Sequence, residues 1–166
     1  MGHKGNEKAD ELAKIAANSI CIKSVPIASN ISKGFIEEKI YGLWERDWKE
    51  EKTCRQTKQF FSKPDRNKSK QIIKLARSQL TTLIRITTGH NALAYHVSRM
   101  FPDIDSTCGF CGESNETFYH FITDCPRLRV SRESNNLLEF DTDSWTPECL
   151  LDFARIPAIE ALLARN

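Results

Sequence analysis

The chain of 166 residues is expected to fold as a mainly α protein, with short helices around a small segment rich in cysteine and histidine. Three observations predict this. Apolar residues recur at helical spacing in stretch after stretch. Capping residues and prolines stand where helices would begin. Glycine then closes one of these stretches and punctuates the cysteine segment.

Asn6 is a capping residue, with acids at Glu7, Asp10 and Glu11 behind it. Ala9, Leu12, Ala13, Ala16 and Ala17 repeat at helical spacing, so 6–18 reads as a helix. The stretch 19–30, with Pro26, reads as extended or looped. Ser32 is then expected to cap a longer helix over 33–52. Ile36, Ile40, Trp44 and Trp48 follow one another at four-residue spacing there, with Leu43 beside them, and this stripe is expected to be core. Phe60 and Phe61 precede a loop, Ser62–Asp65, in which Pro64 stops any helix. Lys68 to Thr87 carries Ile72, Ile73, Leu75, Ala76, Leu80, Leu83, Ile84 and Ile86 and reads as one or two helices, broken near Ser78. Gly89 ends that run, and a short helix is expected from Ala92 to Met100. Pro126 opens another through about Leu138, and Pro147 and Pro157 each sit in the first turn of a short terminal helix.

A composition of 40% hydrophobic and 28% charged residues suits a soluble globular chain and excludes a disordered one. No apolar run is long enough for a membrane span, and Met1–Lys4 lacks the apolar region of a secretory signal. An intracellular location, nuclear or cytoplasmic, is the resulting expectation. In a reducing compartment the six cysteines read as metal ligands and plain thiols rather than disulfides.

Four residues have ligand spacing. Cys108 and Cys111 form a C-x2-C pair, with His120 and Cys125 behind them. A tight turn can aim two thiolates at one point, and Gly109 and Gly112 give it backbone freedom. Zinc takes such sulfur and nitrogen donors tetrahedrally. With all four positions filled by protein, no place is left for a catalytic water, so the site is expected to be structural. Phe110, Phe118, Tyr119 and Phe121 either pack around this site or offer a ring for a nucleobase to stack on. Cys21, Cys54 and Cys149 have no partner at ligand spacing, and His90 and His96 suit capping or core roles better than metal binding.

Charge is laid out unevenly. Twelve Lys and Arg face four Asp and Glu between Arg46 and Arg85, whereas five face twelve from Met100 onward. The stretch Lys49, Lys52, Arg55, Lys58, Lys63, Arg66, Lys68, Lys70, Lys74 and Arg77 beside the cysteine segment reads as a contact surface for the phosphates of RNA or DNA. A plain solvated helix face is the alternative.

The opening Gly2-His3-Lys4-Gly5-Asn6-Glu7-Lys8-Ala9-Asp10-Glu11-Leu12-Ala13 resembles the last motif of the ribonuclease H domains of non-LTR retrotransposons. The run Thr88-Gly89-His90-Asn91, then Cys108 through Pro126 with Glu116-Thr117 ahead of His120, resembles the segment that follows that domain in jockey-like elements. The resemblance implies a C-terminal piece of a reverse transcriptase and ribonuclease H polyprotein. In that alignment the family's catalytic histidine falls one residue before Met1, and His3 takes a variable position, so the piece would begin just after the histidine.

On this reading 1–20 is a helix left from a truncated α/β ribonuclease H domain, 21–31 a linker, 32–100 a basic helical region, 101–140 a CCHC zinc-knuckle region and 141–166 a helical tail. Asp10 alone maps onto the family's magnesium-binding carboxylates, and one carboxylate cannot assemble a two-metal site. Magnesium would therefore belong only to an intact domain. The implied function is nucleic-acid binding, with hybrid ribonuclease activity as the family alternative. A third possibility is docking on upstream polyprotein domains through the acidic tail and Ile156, Ile159, Leu162 and Leu163.

Overall fold

The computed structural model of the chain describes residues 4–18 and 28–164; His3 and Cys21 lie outside them, as does most of the expected linker. Ten α-helices account for most of the described residues, and no β-strand occurs among them, in agreement with the mainly α expectation. The chain divides into two compact units, Met1–Ile40 and Tyr41–Asn166.

The first unit holds α1 (Lys4–Ala17) and the opening turns of α2 (Ser29–Glu50). Leu12 and Ile15 on α1 are exposed, as are Phe35, Ile36 and Ile40 on α2. The expected apolar stripe of α2 is therefore not core: Trp44 is 52% exposed, and no residue of the helix is buried. Trp48 is half-buried and uses its polar edge, donating from Nε1 to the Phe61 carbonyl at 3.0 Å. Spacing in sequence reports that a face is apolar, but burial needs a second surface to cover it.

The second unit is built from short helices, each with a local reason to start. These are α3 (Arg55–Phe60), α4 (Arg66–Ile72), α5 (Arg77–Thr88), α6 (Ala94–Ser98), α7 (Phe118–Thr123), α8 (Arg129–Ser134), α9 (Pro147–Ala154) and α10 (Pro157–Leu163). Asp65 caps α4 by accepting from the N–H groups of Asn67 and Lys68 at 2.7 and 3.0 Å. Thr146 caps α9 in the same way, and Pro147 and Pro157 occupy first turns, where a missing N–H costs nothing.

Gly89 ends α5 in the left-handed region (φ 75°), and a β-carbon there would meet the Gln56 side-chain oxygen. The break between α4 and α5 falls over 73–76, before the expected Ser78. Here Gln79 reaches back to accept the Ala76 N–H at 3.1 Å. Likewise the helix expected from Pro126 to Leu138 is a 3-10 turn, Pro126–Leu128, followed by α8, and the one expected from Ala92 to Met100 is only α6.

The core centres on Phe60, at the end of α3, a helix not anticipated from sequence. Its ring meets those of Tyr119, Phe140, Phe118 and Trp145 at centroid distances of 5.7 to 6.5 Å, mostly edge to face. Trp145 also donates from its indole to the Phe60 carbonyl. Burying one such ring contributes about 1.5–3 kcal/mol. Helix α5 packs against α3, α7 and α9, and α9 in turn meets α4 and α10. Phe118, Phe121 and Ile122 of the cysteine segment share this core with Leu83, Leu150 and Phe153.

Candidate metal centre

The four predicted ligands come together. One donor atom from each of Cys108, Cys111, His120 and Cys125 lies within 4.8 Å of the other three. Bonds of about 2.3 Å to sulfur and 2.0–2.1 Å to nitrogen give a tetrahedron with edges of roughly 3.5–3.8 Å. Cys111 Sγ and His120 Nε2, 3.3 Å apart, are already that close. The group can hold a metal ion, and its chemistry is compatible with structural zinc.

Local sequence builds both halves of the site. Thr107 and Asn115 form an antiparallel bridge, and the Cys108 N–H donates to the Ser114 carbonyl at 2.7 Å. Within this turn the Gly112 N–H returns to the Cys108 carbonyl at 2.8 Å, with Gly112 at φ 72°. Gly109 contributes a close approach rather than the backbone freedom anticipated. Its φ is ordinary, but a β-carbon would stand 3.3 Å from the Glu116 carboxylate.

The other half is α7, capped by Thr117, whose hydroxyl accepts the His120 N–H at 3.0 Å. The N–H groups of Asp124 and Cys125 both return to the His120 carbonyl, at 3.0 and 2.9 Å, which tightens the helix end and brings Cys125 back beside the histidine. This winding resolves the five-residue separation that is awkward for a regular helix face.

Burial sets the protonation of the free ligands. It pushes the Cys125 thiol up to about 12, with the neighbouring Cys108 adding to the effect. It also raises Cys108. At the more open Cys111 burial acts upward too, but hydrogen bonds from the Glu113 backbone, Cys108 and the Ser114 backbone bring the thiol below its usual range. His120 is pushed down by burial and by the Arg132 charge, against Asp124 and Glu113, which favours the neutral imidazole that a metal requires.

Two supporting residues were not anticipated as such. Glu116, 1% exposed, joins the cysteine turn to α6. Arg132, 6% exposed, donates to the carbonyls of Phe121 and Cys125. Glu116 stands next to the capping threonine, a position that hints at local structure, whereas Arg132 has no signal in a segment rich in charge. Phe110 packs edge-on to Phe121 at 5.3 Å, and Tyr119 to Phe60 and Phe140.

The remaining predicted residues scatter. Asp10 is exposed on α1, and among the described residues the cysteine–histidine group is the only cluster of three or more metal-capable side chains. Lys68, expected on a phosphate-binding surface, is instead buried; its ammonium donates to the Thr142 carbonyl and lies 4.6 Å from the centre of the Trp145 ring. Burial lowers its pKa, against Asp65, Asp143 and Asp141. Lys49 pairs with Glu45 at 2.9 Å, Lys58 lies over Trp48 and donates to the Glu51 carbonyl, and Arg66 lies over Tyr41. Lys52, Arg55, Lys63, Lys70, Lys74 and Arg77 are exposed.

At the other end, Ile159 and Leu162 are buried and Ile156 and Leu163 pack against the same core, so the apolar face expected to dock elsewhere is already covered by this unit. Cys54 is exposed, and Cys149 is half-buried with its thiol toward the Thr146 carbonyl. The rings of His90 and His96 are 5.1 Å apart. No helix among the described residues is long and apolar enough to cross a membrane. Comparison with known protein families, with curated proteins and with solved structures finds no match to this chain.

Proposed function

We propose that this chain is a zinc-stabilised helical module that binds nucleic acid through phosphate contacts, within the polyprotein of a non-LTR retrotransposon. The observation that carries the proposal is the convergence of three sulfurs and one imidazole nitrogen within 4.8 Å. Soft thiolates with one imidazole in a closed four-coordinate set suit zinc, and with no ligand position left open its role is structural rather than catalytic. The ion would tie the cysteine turn to α7 and so fasten Phe118 and Phe121 in the core.

The six exposed cations Lys52, Arg55, Lys63, Lys70, Lys74 and Arg77 support the nucleic-acid reading. Contacts to phosphate give affinity with little sequence preference and a strong dependence on salt. The sequence resemblance supports the polyprotein context. It also brings the hybrid ribonuclease alternative, which the solitary, exposed Asp10 does not favour.

The experiment is zinc analysis of the purified chain followed by titration of RNA and DNA at several salt concentrations. About one zinc per chain is expected, with affinity for duplex DNA falling along a log–log slope no steeper than about −5 if all six cations meet phosphates. Binding that is absent or insensitive to salt would remove the nucleic-acid reading. Magnesium-dependent cleavage of an RNA–DNA hybrid, lost in Asp10→Asn, would restore the enzymatic one.

A further inference from the structure

Arg132 on α8 is buried and, among the described residues, forms no ion pair with an acid. Its Nη1 donates to the Phe121 carbonyl at 3.2 Å and to the Cys125 carbonyl at 2.6 Å, and its Nε has no partner. Arginine stays protonated in proteins, and a buried charge without a counter-charge is strongly unfavourable. Most buried arginines resolve this with a carboxylate. Here the guanidinium lies instead against the peptide of a metal ligand.

The first of those bonds has a clear local cause. A regular helix would send the Cys125 N–H to the Phe121 carbonyl, but that N–H goes to His120. The Phe121 carbonyl is left over at the end of α7, and Arg132 fills the gap, as cations do at helix C-termini. This explains one hydrogen bond. It does not explain why the cap is a buried guanidinium with a nitrogen to spare.

The metal centre supplies the missing term. A divalent ion held by three thiolates and a neutral imidazole leaves one net negative charge in a buried site. We propose that Arg132 is the counter-charge of the Cys108–Cys111–His120–Cys125 metal centre, a positioning residue that neutralises the loaded site while fixing the Cys125 peptide. The inference rests on the metal reading above. It makes the metal and the arginine mutually dependent: each buries its charge at lower cost when the other is present.

The test is zinc affinity of the full chain, by competition with a chelator, for Arg132→Gln and Arg132→Lys. Each is made in the wild-type background and with Cys111→His. The histidine variant holds zinc with two thiolates and so carries no net charge. In the wild-type ligand set Arg132→Gln is expected to weaken zinc binding by about 10–100-fold, and Arg132→Lys to retain most of the affinity. With Cys111→His the loss from Arg132→Gln should largely vanish, because nothing remains to neutralise.

Equal losses in the two backgrounds would overturn the counter-charge and leave Arg132 as a helix cap only. So would unchanged affinity in Arg132→Gln. Should Arg132→Gln fail to fold, Arg132→Lys decides, since it keeps the charge but loses the planar fork. Preserved affinity supports the counter-charge, and a loss as large as 100-fold overturns it. A wild type that takes up no zinc is a different result, overturning the metal reading itself.

Discussion

The carboxylate of Glu116 accepts the backbone N–H of Gly109 at 3.0 Å, inside the turn that carries Cys108 and Cys111. Its second oxygen accepts the Ala94 N–H at 2.9 Å, at the first residue of α6. One buried side chain thus connects the cysteine turn to a helix that contributes no ligand. Two N–H donors converge on it, so only a group with two acceptors fits.

Glu116→Gln tests this connection. The amide nitrogen must face one of the two N–H groups, leaving that donor without an acceptor at a cost of about 1–3 kcal/mol. Urea unfolding with and without zinc should show a loss of this size in both forms. Zinc affinity should also fall, by about 10–100-fold, because the turn that aims two thiolates is loosened. A variant as stable as wild type in both forms would mean that the Glu116 bonds contribute nothing net.

Phe60→Ala should be among the most damaging single changes. Its ring is 1% exposed and touches four other aromatic rings. Truncations of this type cost about 3–5 kcal/mol, against a total stability of about 5–15 kcal/mol for a typical domain. The far-ultraviolet circular dichroism melt is the check, and an unchanged midpoint would contradict the placement of α3 in the core.

Lys68 and Lys70 stand two residues apart and should behave oppositely. Lys70→Ala and Lys74→Ala remove exposed charges and should each reduce the salt slope of nucleic-acid binding by about 1 if they meet phosphate. Lys68→Met removes an ammonium engaged with Thr142 and Trp145, so it should alter stability and leave the slope unchanged. A reduced slope in Lys68→Met would put that side chain on the binding surface after all.

Acid should destabilise the α5–α6 corner. Burial pushes His96 below its ordinary value of 6.5, and the neighbouring His90 and Arg99 push it the same way. The charged groups and histidines lining the groove around it are Arg85 and His90, and no acid is among them. The unfolded chain therefore binds a proton at higher pH than the folded one, so the stability present above about 6.5 is lost as pH falls below it. Between about pH 7 and pH 5.5 the wild type should lose more thermal stability than His96→Gln. The metal ligands are shared by the two proteins, and so their own acid response drops out of the difference.

How much could be read in advance depended on how local each cause was. The ligand set lies within one short stretch, and Gly89, Pro147 and Pro157 act on their own backbone, so these features are visible in a single line of sequence. Helix α3 was not, because six residues owe their helical state to Phe60 entering a core completed by Trp145, 85 positions away. The Ile36–Trp44 stripe misled in the opposite direction: its pattern is helical and apolar, but nothing in the pattern states what covers it. Lys68 looked like a surface cation because a letter does not show that its stem runs over an indole. The support that Glu116 and Arg132 give the site goes to backbone groups, which carry no side-chain identity for a residue pattern to record.

The compactness of the ligand stretch bears on the order in which the chain folds. Closing Cys108 onto Cys125 needs only a short loop, whose entropic cost is small, whereas Phe60 must find Trp145 across most of the second unit. A metal captured early would fix α7 and present Phe118, Phe121 and Ile122 as a ready-made apolar surface on which the distant helices condense. The ion would then accelerate refolding more than it slows unfolding, because the contacts it secures form before the slow, long-range ones.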